Sequence, residues 1–98
     1  DGIFIGTGDL SLEMGIKFKA DSSANHTVDS PEMIAAIDKV LLACKRNGKI
    51  PGIVTASADD AARRVKQGFQ LVTCMNDLGF FCSRSKQHLN TIKETIQK

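Results

Sequence analysis

The stretch Asp1-Gly2-Ile3-Phe4-Ile5-Gly6-Thr7-Gly8-Asp9-Leu10-Ser11 decides how the rest of the chain is read. Ile3-Phe4-Ile5 is apolar at consecutive positions, which suits a strand covered on both faces, as in a parallel sheet, better than an alternating surface strand. The run from Asp1 to Gly6 is therefore expected to be a first strand, closed by a Gly-Thr-Gly turn. Asp9 and a series of small residues follow at once, where the strand leaves the sheet.

Working outward, residues 15–30 are rich in Asp, Ser and Asn without sustained period and read as a long loop, a kind usually functional or mobile. Ser30-Pro31 then supplies an N-cap and a proline at the first helical position. Met33, Ile37, Val40, Leu41 and Cys44 recur at helical spacing until Asn47-Gly48 stops the run. Pro51 to Ala56 is a second short apolar strand, and Ser57 caps the next helix with Asp60 at capping-box spacing. Ala61, Ala62 and Val65 give that helix a modest apolar face before Gly68. Phe69 to Met75 reads as a third strand. From about Leu78, an amphipathic helix carries Phe81, His88 or Leu89, Ile92 and Ile96 along one stripe and Lys86, Lys93 and Glu94 on the other side.

The order βαβαβα implies a parallel sheet with right-handed crossovers and helices on its faces. Three strands alone keep two open edges, and 98 residues fall well short of the ~250 of a closed barrel. No initiator Met precedes the first strand, and the expectation is a fragment that wants neighbours.

Composition narrows the function classes. A hydrophobic content of 42% and a charged fraction of 24% belong to an ordinary globular chain rather than to disorder or a disulfide scaffold. The net charge of +2, with basic residues scattered, implies no nucleic-acid partner. Cys44, Cys74 and Cys82 are odd in number and lack C-x-x-C spacing, which fits a reducing, cytoplasmic setting better than a disulfide framework or a zinc site. No apolar stretch approaches the ~20 residues of a membrane helix.

The densest chemical signal is Gly6-Thr7-Gly8-Asp9-Leu10-Ser11. It places an acid and consecutive backbone N–H groups at the carboxyl end of the sheet, where α/β folds keep their sites. Such N–H groups hold an anion, and the acid suits a hard cation beside it. The other reading is a tight turn in which Asp9 caps a following helical turn. A dinucleotide fingerprint fits poorly, because Ser11 stands where a third glycine would be.

The run Asp1 to Gly15, together with Pro31-Glu32, Gly48-Lys49-Ile50-Pro51-Gly52-Ile53 and Gly68-Phe69, resembles the carboxyl-terminal part of the HpcH/HpaI aldolase family. That family covers 4-hydroxy-2-oxoheptanedioate aldolase, 2-keto-3-deoxy sugar-acid aldolases and macrophomate synthase. The resemblance implies an α/β fold in which residues 1–98 form the last three βα units of a single (β/α)8 TIM barrel. It also implies a class II aldolase that cleaves or forms 4-hydroxy-2-oxo acids through a pyruvate enolate, with Mg2+, Mn2+ or Co2+ as Lewis acid.

The family motif reads Phe-Ile-Gly-Pro-x-Asp-Leu-Ser, and its Asp, here Asp9, is a metal ligand. By position, the backbone N–H groups of Gly8 and Asp9 hold the carboxylate of pyruvate, and Thr7 replaces the usual proline, a freer turn. Val54 matches an apolar position at the aldehyde end of the pocket, against which stands its reading as a barrel-core valine. The partner Glu, the acid–base His and the enolate-steadying Arg of the family belong to upstream segments, so the chain alone is expected to be inactive.

The resemblance further implies a homo-oligomer, trimer or hexamer, in which the amphipathic segment after Asp77 packs across to a neighbour; its stripe fits its own barrel equally. A rival hypothesis is a non-catalytic fragment or binding module with an aldolase-like fold. His26 and His88 read as surface or interface histidines. Asn25-His26-Thr27 matches a glycosylation acceptor without use in a cytoplasmic protein, and Asn76-Asp77 lies on the site face by topology, with Asp77 able to cap the last helix.

Overall fold

The structure is a computed structural model describing residues 1–16 and 30–98. His26, the Asn25-His26-Thr27 acceptor and most of the expected long loop lie outside the described residues. The elements run β1 (Gly2–Ile5), α1 (Thr7–Glu13), α2 (Pro31–Arg46), β2 (Ile50–Thr55), α3 (Ala58–Gln67), β3 (Leu71–Cys74) and α4 (Asp77–Ile96). The three strands form one parallel sheet in the order β1-β2-β3.

Each expected strand and each expected helix is present; β1 and β3 are shorter than the sequence implied, and β2 keeps its expected length one residue earlier. β3 begins at Leu71 rather than Phe69, because Gly68 takes a left-handed cap at the end of α3 and the Phe69 N–H still donates to Arg64 O at 3.1 Å. The addition is α1. Where a turn was expected, Leu10 N–H donates to Gly6 O at 2.9 Å and the chain winds into a seven-residue helix.

α2 is held as its sequence dictates. Ser30 Oγ accepts from the Met33 N–H at 3.3 Å and Pro31 takes the first turn. Its stripe of Met33, Ile37, Leu41 and Cys44 is buried, and Met33, Ile37 and Leu41 pack with Ile5, Ile53 and Phe69 into the core. Leu10, Ile16, Val40 and Val72 close over the edge of that cluster. Ile16 therefore belongs to the core rather than to the polar loop in which its sequence position put it.

Register explains which residues reach this core. Ile5, Ile53 and Val72 stand side by side across the three strands, so their side chains share the face that α2 covers. Phe4, Gly52 and Leu71 form the neighbouring row and point the other way. A Cβ on Gly52 would lie 2.7 Å from the Phe4 ring and 3.1 Å from Leu71 O, so glycine is what lets this row close up. Phe4, Ile50 and Leu71 are about half exposed. The expectation that β1 is covered on both faces is thus met on one face within this chain.

α3 departs from its expected packing. Ser57 Oγ accepts from the Asp60 N–H at 3.1 Å, which is half of a capping box. The Asp60 carboxylate turns instead to Arg63, 2.6 Å from its Nη2, and to Arg64 Nε at 3.4 Å. The anticipated face of Ala61, Ala62 and Val65 is not the buried one: Val65 is 59% exposed, and the buried residue of this helix is Arg64. Its aliphatic stem fills the place of an apolar side chain, while its Nη1 donates to Gln67 Oε1 at 3.1 Å.

α4 leaves the sheet through a tight joint. Met75 takes a positive φ of 60°, and its N–H donates to Thr55 O at 2.8 Å. Asn76, not Asp77, is the N-cap, accepting from the Gly79 N–H at 2.7 Å, because the chain turns into helix one residue earlier than read. Gly79 fits beneath the Met75 side chain, where a Cβ would lie 2.6 Å from Met75 Cγ. From there α4 makes no substantial packing contact with another described element and buries none of its residues, and the molecule measures 58 × 27 × 19 Å. No helix among the described residues is long and apolar enough to cross a membrane.

Candidate active-site end of the sheet

The carboxyl ends of β1, β2 and β3 deliver Gly6, Ala56 and Met75 to one edge of the sheet. Gly6 is the N-cap of α1 and remains extended, with φ −86° and ψ 102°. It therefore continues the alternation of β1, which directs its missing side chain to the face of Phe4 and Gly52. That direction locates Asp9. A Cβ on Gly6 would lie 3.0 Å from Asp9 Oδ2, so the Asp9 carboxylate leans back over the open face and occupies the space a side chain at Gly6 would fill.

Asp9 is thus the third residue of α1, not its cap: the N-cap Gly6 offers no side chain, and the reading of Asp9 as a capping residue is corrected to a first-turn acid near the helix N-terminus. It is exposed, and it has neither hydrogen bond nor ion pair among the described residues. Ser11, fully buried, donates its hydroxyl to Gly8 O at 2.7 Å and pins the first turn from beneath.

Thr7 and Gly8 are the first two residues of the helix, and with Asp9 they present backbone N–H groups that have no acceptor within it. Space explains Gly8 no better than Ala would: nothing lies within 4 Å of a Cβ built there. Proline is well suited to the position of Thr7, whose N–H is one of the helix's orphans.

One step beyond the paired residues Ile5 and Ile53, Gly6 stands level with Val54, and Val54 is paired with Thr73. Gly6, Val54 and Thr73 accordingly form the last row of the open face before the loops. Val54 is half-buried, and Thr73 is exposed. The structure brings Val54, Asp9, Gly8 and Thr7 to the same end of the sheet. Thr73 was missed, because a strand of four residues does not reveal which of its faces is covered until its register is known.

Other polar groups lie elsewhere. A recess of about 350 Å³ between Lys45, Lys49, Pro51 and Gly68 opens at the amino end of the sheet, and a shallower one runs along α3. His88 is exposed on α4. Among the described residues no three His, Cys, Asp or Glu side chains gather in one place, so Asp9 stands as a single carboxylate. It is nevertheless the right kind of donor: a free carboxylate oxygen pair suits a hard divalent cation.

This geometry has a solved counterpart. The crystal structure of an HpcH/HpaI aldolase from Desulfitobacterium hafniense DCB-2 matches with a TM-score of 0.77 at 27% identity, over 96% of this chain and 34% of that one. A 5-keto-4-deoxy-D-glucarate aldolase from Klebsiella pneumoniae subsp. pneumoniae is 31% identical over 94 residues, covering 96% of this chain and 34% of the relative. The chain matches the carboxyl-terminal part of the HpcH/HpaI aldolases.

A 4-hydroxy-2-oxo-heptane-1,7-dioate aldolase from Escherichia coli is 37% identical over 68 residues, 69% of this chain and 23% of that protein. No family model matches the chain. The chain spans about a third of the length of the aldolases it matches, in their carboxyl-terminal part. Its three βα units are those of a TIM barrel, and the face bearing Phe4, Gly52 and Val54 is the one that faces a barrel's interior.

Proposed function

We propose that residues 1–98 are the carboxyl-terminal part of a single-domain barrel aldolase that makes or cleaves 4-hydroxy-2-oxo acids with a divalent metal, Mg2+, Mn2+ or Co2+. The observation that carries this reading is the Asp9 carboxylate, without a partner among the described residues and held over the open face at the carboxyl end of the sheet. In a barrel that end is where catalytic groups converge.

Asp9 would supply one ligand to the metal. When bound, the metal acts as a Lewis acid toward the 2-oxo acid and stabilises the enolate charge left by carbon–carbon cleavage. The chain's own residues bind and orient. The free N–H groups of Gly8 and Asp9 hold the carboxylate of the oxo acid, and the bare Gly8 lets that carboxylate come close. Buried Ser11 keeps the turn rigid beneath them. Val54 forms the wall beside the bond that breaks, on the aldehyde side. The partners are therefore a small 2-oxo acid and an aldehyde, in a cytoplasmic homo-oligomer whose neighbour covers the exposed stripe of α4.

Manganese titration in the presence of pyruvate tests the reading on the complete gene product. Asp9→Ala is expected to weaken binding at least about tenfold, or about 1.4 kcal/mol. Equal affinity in wild type and variant would sink the metal role of Asp9 and favour a non-catalytic module with an aldolase-like fold.

A further inference from the structure

We infer that the Thr73 hydroxyl is a specificity determinant for the aldehyde half of the reaction, selecting acceptors that carry a hydroxyl group next to the carbonyl carbon. The inference rests on the proposed function and extends it across the sheet, from β1 to β3.

The last row of the open face holds Gly6, Val54 and Thr73, one residue from each strand. The row beneath, Phe4, Gly52 and Leu71, is wholly apolar. Interior rows of barrels are dominated by branched apolar side chains, so a hydroxyl in the last row stands out chemically. It is also unspent. Thr73 is exposed, and its hydroxyl has no hydrogen-bond partner among the described residues. The hydroxyl one residue further along this end of the sheet behaves differently: Thr55, buried on the helix-covered face, donates to Thr73 O at 2.6 Å. That bond fixes the Thr73 backbone and leaves its side chain to the other face.

Closing the remaining strands around this face would bury the Thr73 hydroxyl, and a buried hydroxyl without a partner costs about 1–3 kcal/mol. A partner must then come from within the barrel. Two strand spacings, about 10 Å, separate the Gly6 and Thr73 positions. With the oxo-acid end of the substrate at Asp9, the chain of carbons that passes Val54 brings its far, aldehyde-derived end toward Thr73. A hydroxyl there both gives and takes a hydrogen bond with Thr73, whereas a methyl group leaves Thr73 unsatisfied.

The test compares glycolaldehyde with propionaldehyde, which differ by a hydroxyl in place of a methyl, as acceptors for pyruvate with the manganese-loaded full-length protein. Wild type is expected to prefer glycolaldehyde in kcat/KM. In Thr73→Val, of nearly equal volume, that preference is expected to fall at least fivefold through the KM for glycolaldehyde, and Thr73→Ser is expected to restore it. Deuterium exchange into the methyl group of pyruvate, which needs no aldehyde, should be unchanged in both variants.

An unchanged aldehyde ratio in Thr73→Val overturns the inference, and so does a parallel loss of pyruvate exchange, which marks Thr73 as structural. Absence of exchange in wild type overturns the proposed function itself, a distinct outcome.

Discussion

α2 and α4 carry the same kind of sequence and meet different fates. Both are amphipathic, capped by a side chain that accepts from the third residue onward, and long enough to hold several apolar turns. α2 buries Met33, Ile37, Leu41 and Cys44 against the sheet, whereas Phe81 and Ile96 of α4 remain 72% and 76% exposed. A hydrophobic stripe states that a helix will be covered; it does not state by what. For α2 the answer is β1 and β2 of the same chain, and for α4 the described residues contain no answer.

The contrast breaks most readily at Ile37. Ile37→Ala removes a fully buried side chain from the centre of the core and is expected to cost about 2–5 kcal/mol in urea unfolding. A cost below about 1 kcal/mol would mean that α2 is no better anchored than α4. Thr7→Pro acts at the start of α1, with Gly6 already extended ahead of it, and is expected to stabilise by about 0.4–1 kcal/mol, read as a higher Tm. A lower Tm would show that the first turn of α1 does not hold its described conformation. Truncation after Asp77 is expected to change the stability of the sheet least, within about 0.5 kcal/mol, since α4 makes no substantial contact with the described strands. Sedimentation of that shortened protein should nevertheless show a smaller assembly, and an unchanged oligomer would remove α4 from the interface.

Legibility in the sequence followed the same division. The stripe of α2, its Ser30-Pro31 start, the Ser57 cap and the alternation of strand and helix were all readable, because each depends on residues within a few positions of one another. α1 was not, since Gly6-Thr7-Gly8 carries glycines that weigh against helix, and it is the docking of Leu10 and the Ser11 to Gly8 bond that hold the turn. The burial of Arg64 went unread for a related reason: pattern reading counts its charge, while the structure buries its side chain. In the candidate site, Asp9, Gly8, Thr7 and Val54 were named by family resemblance, and their assembly at one edge follows from the parallel topology. What no local pattern contained was the row through Gly6, Val54 and Thr73, which exists only once strands far apart in sequence are set in register.

The Met75 joint gives α4 one more property. A left-handed backbone at a residue other than glycine costs about 1–2 kcal/mol, and here it is sustained by the bond to Thr55 O, the Asn76 cap and the fit of Gly79 under the methionine. The folded chain itself therefore carries the cost of aiming the helix, ahead of any encounter. A surface that comes to rest on α4 meets an arm whose direction is already chosen, and little rotational freedom is left to be lost at docking.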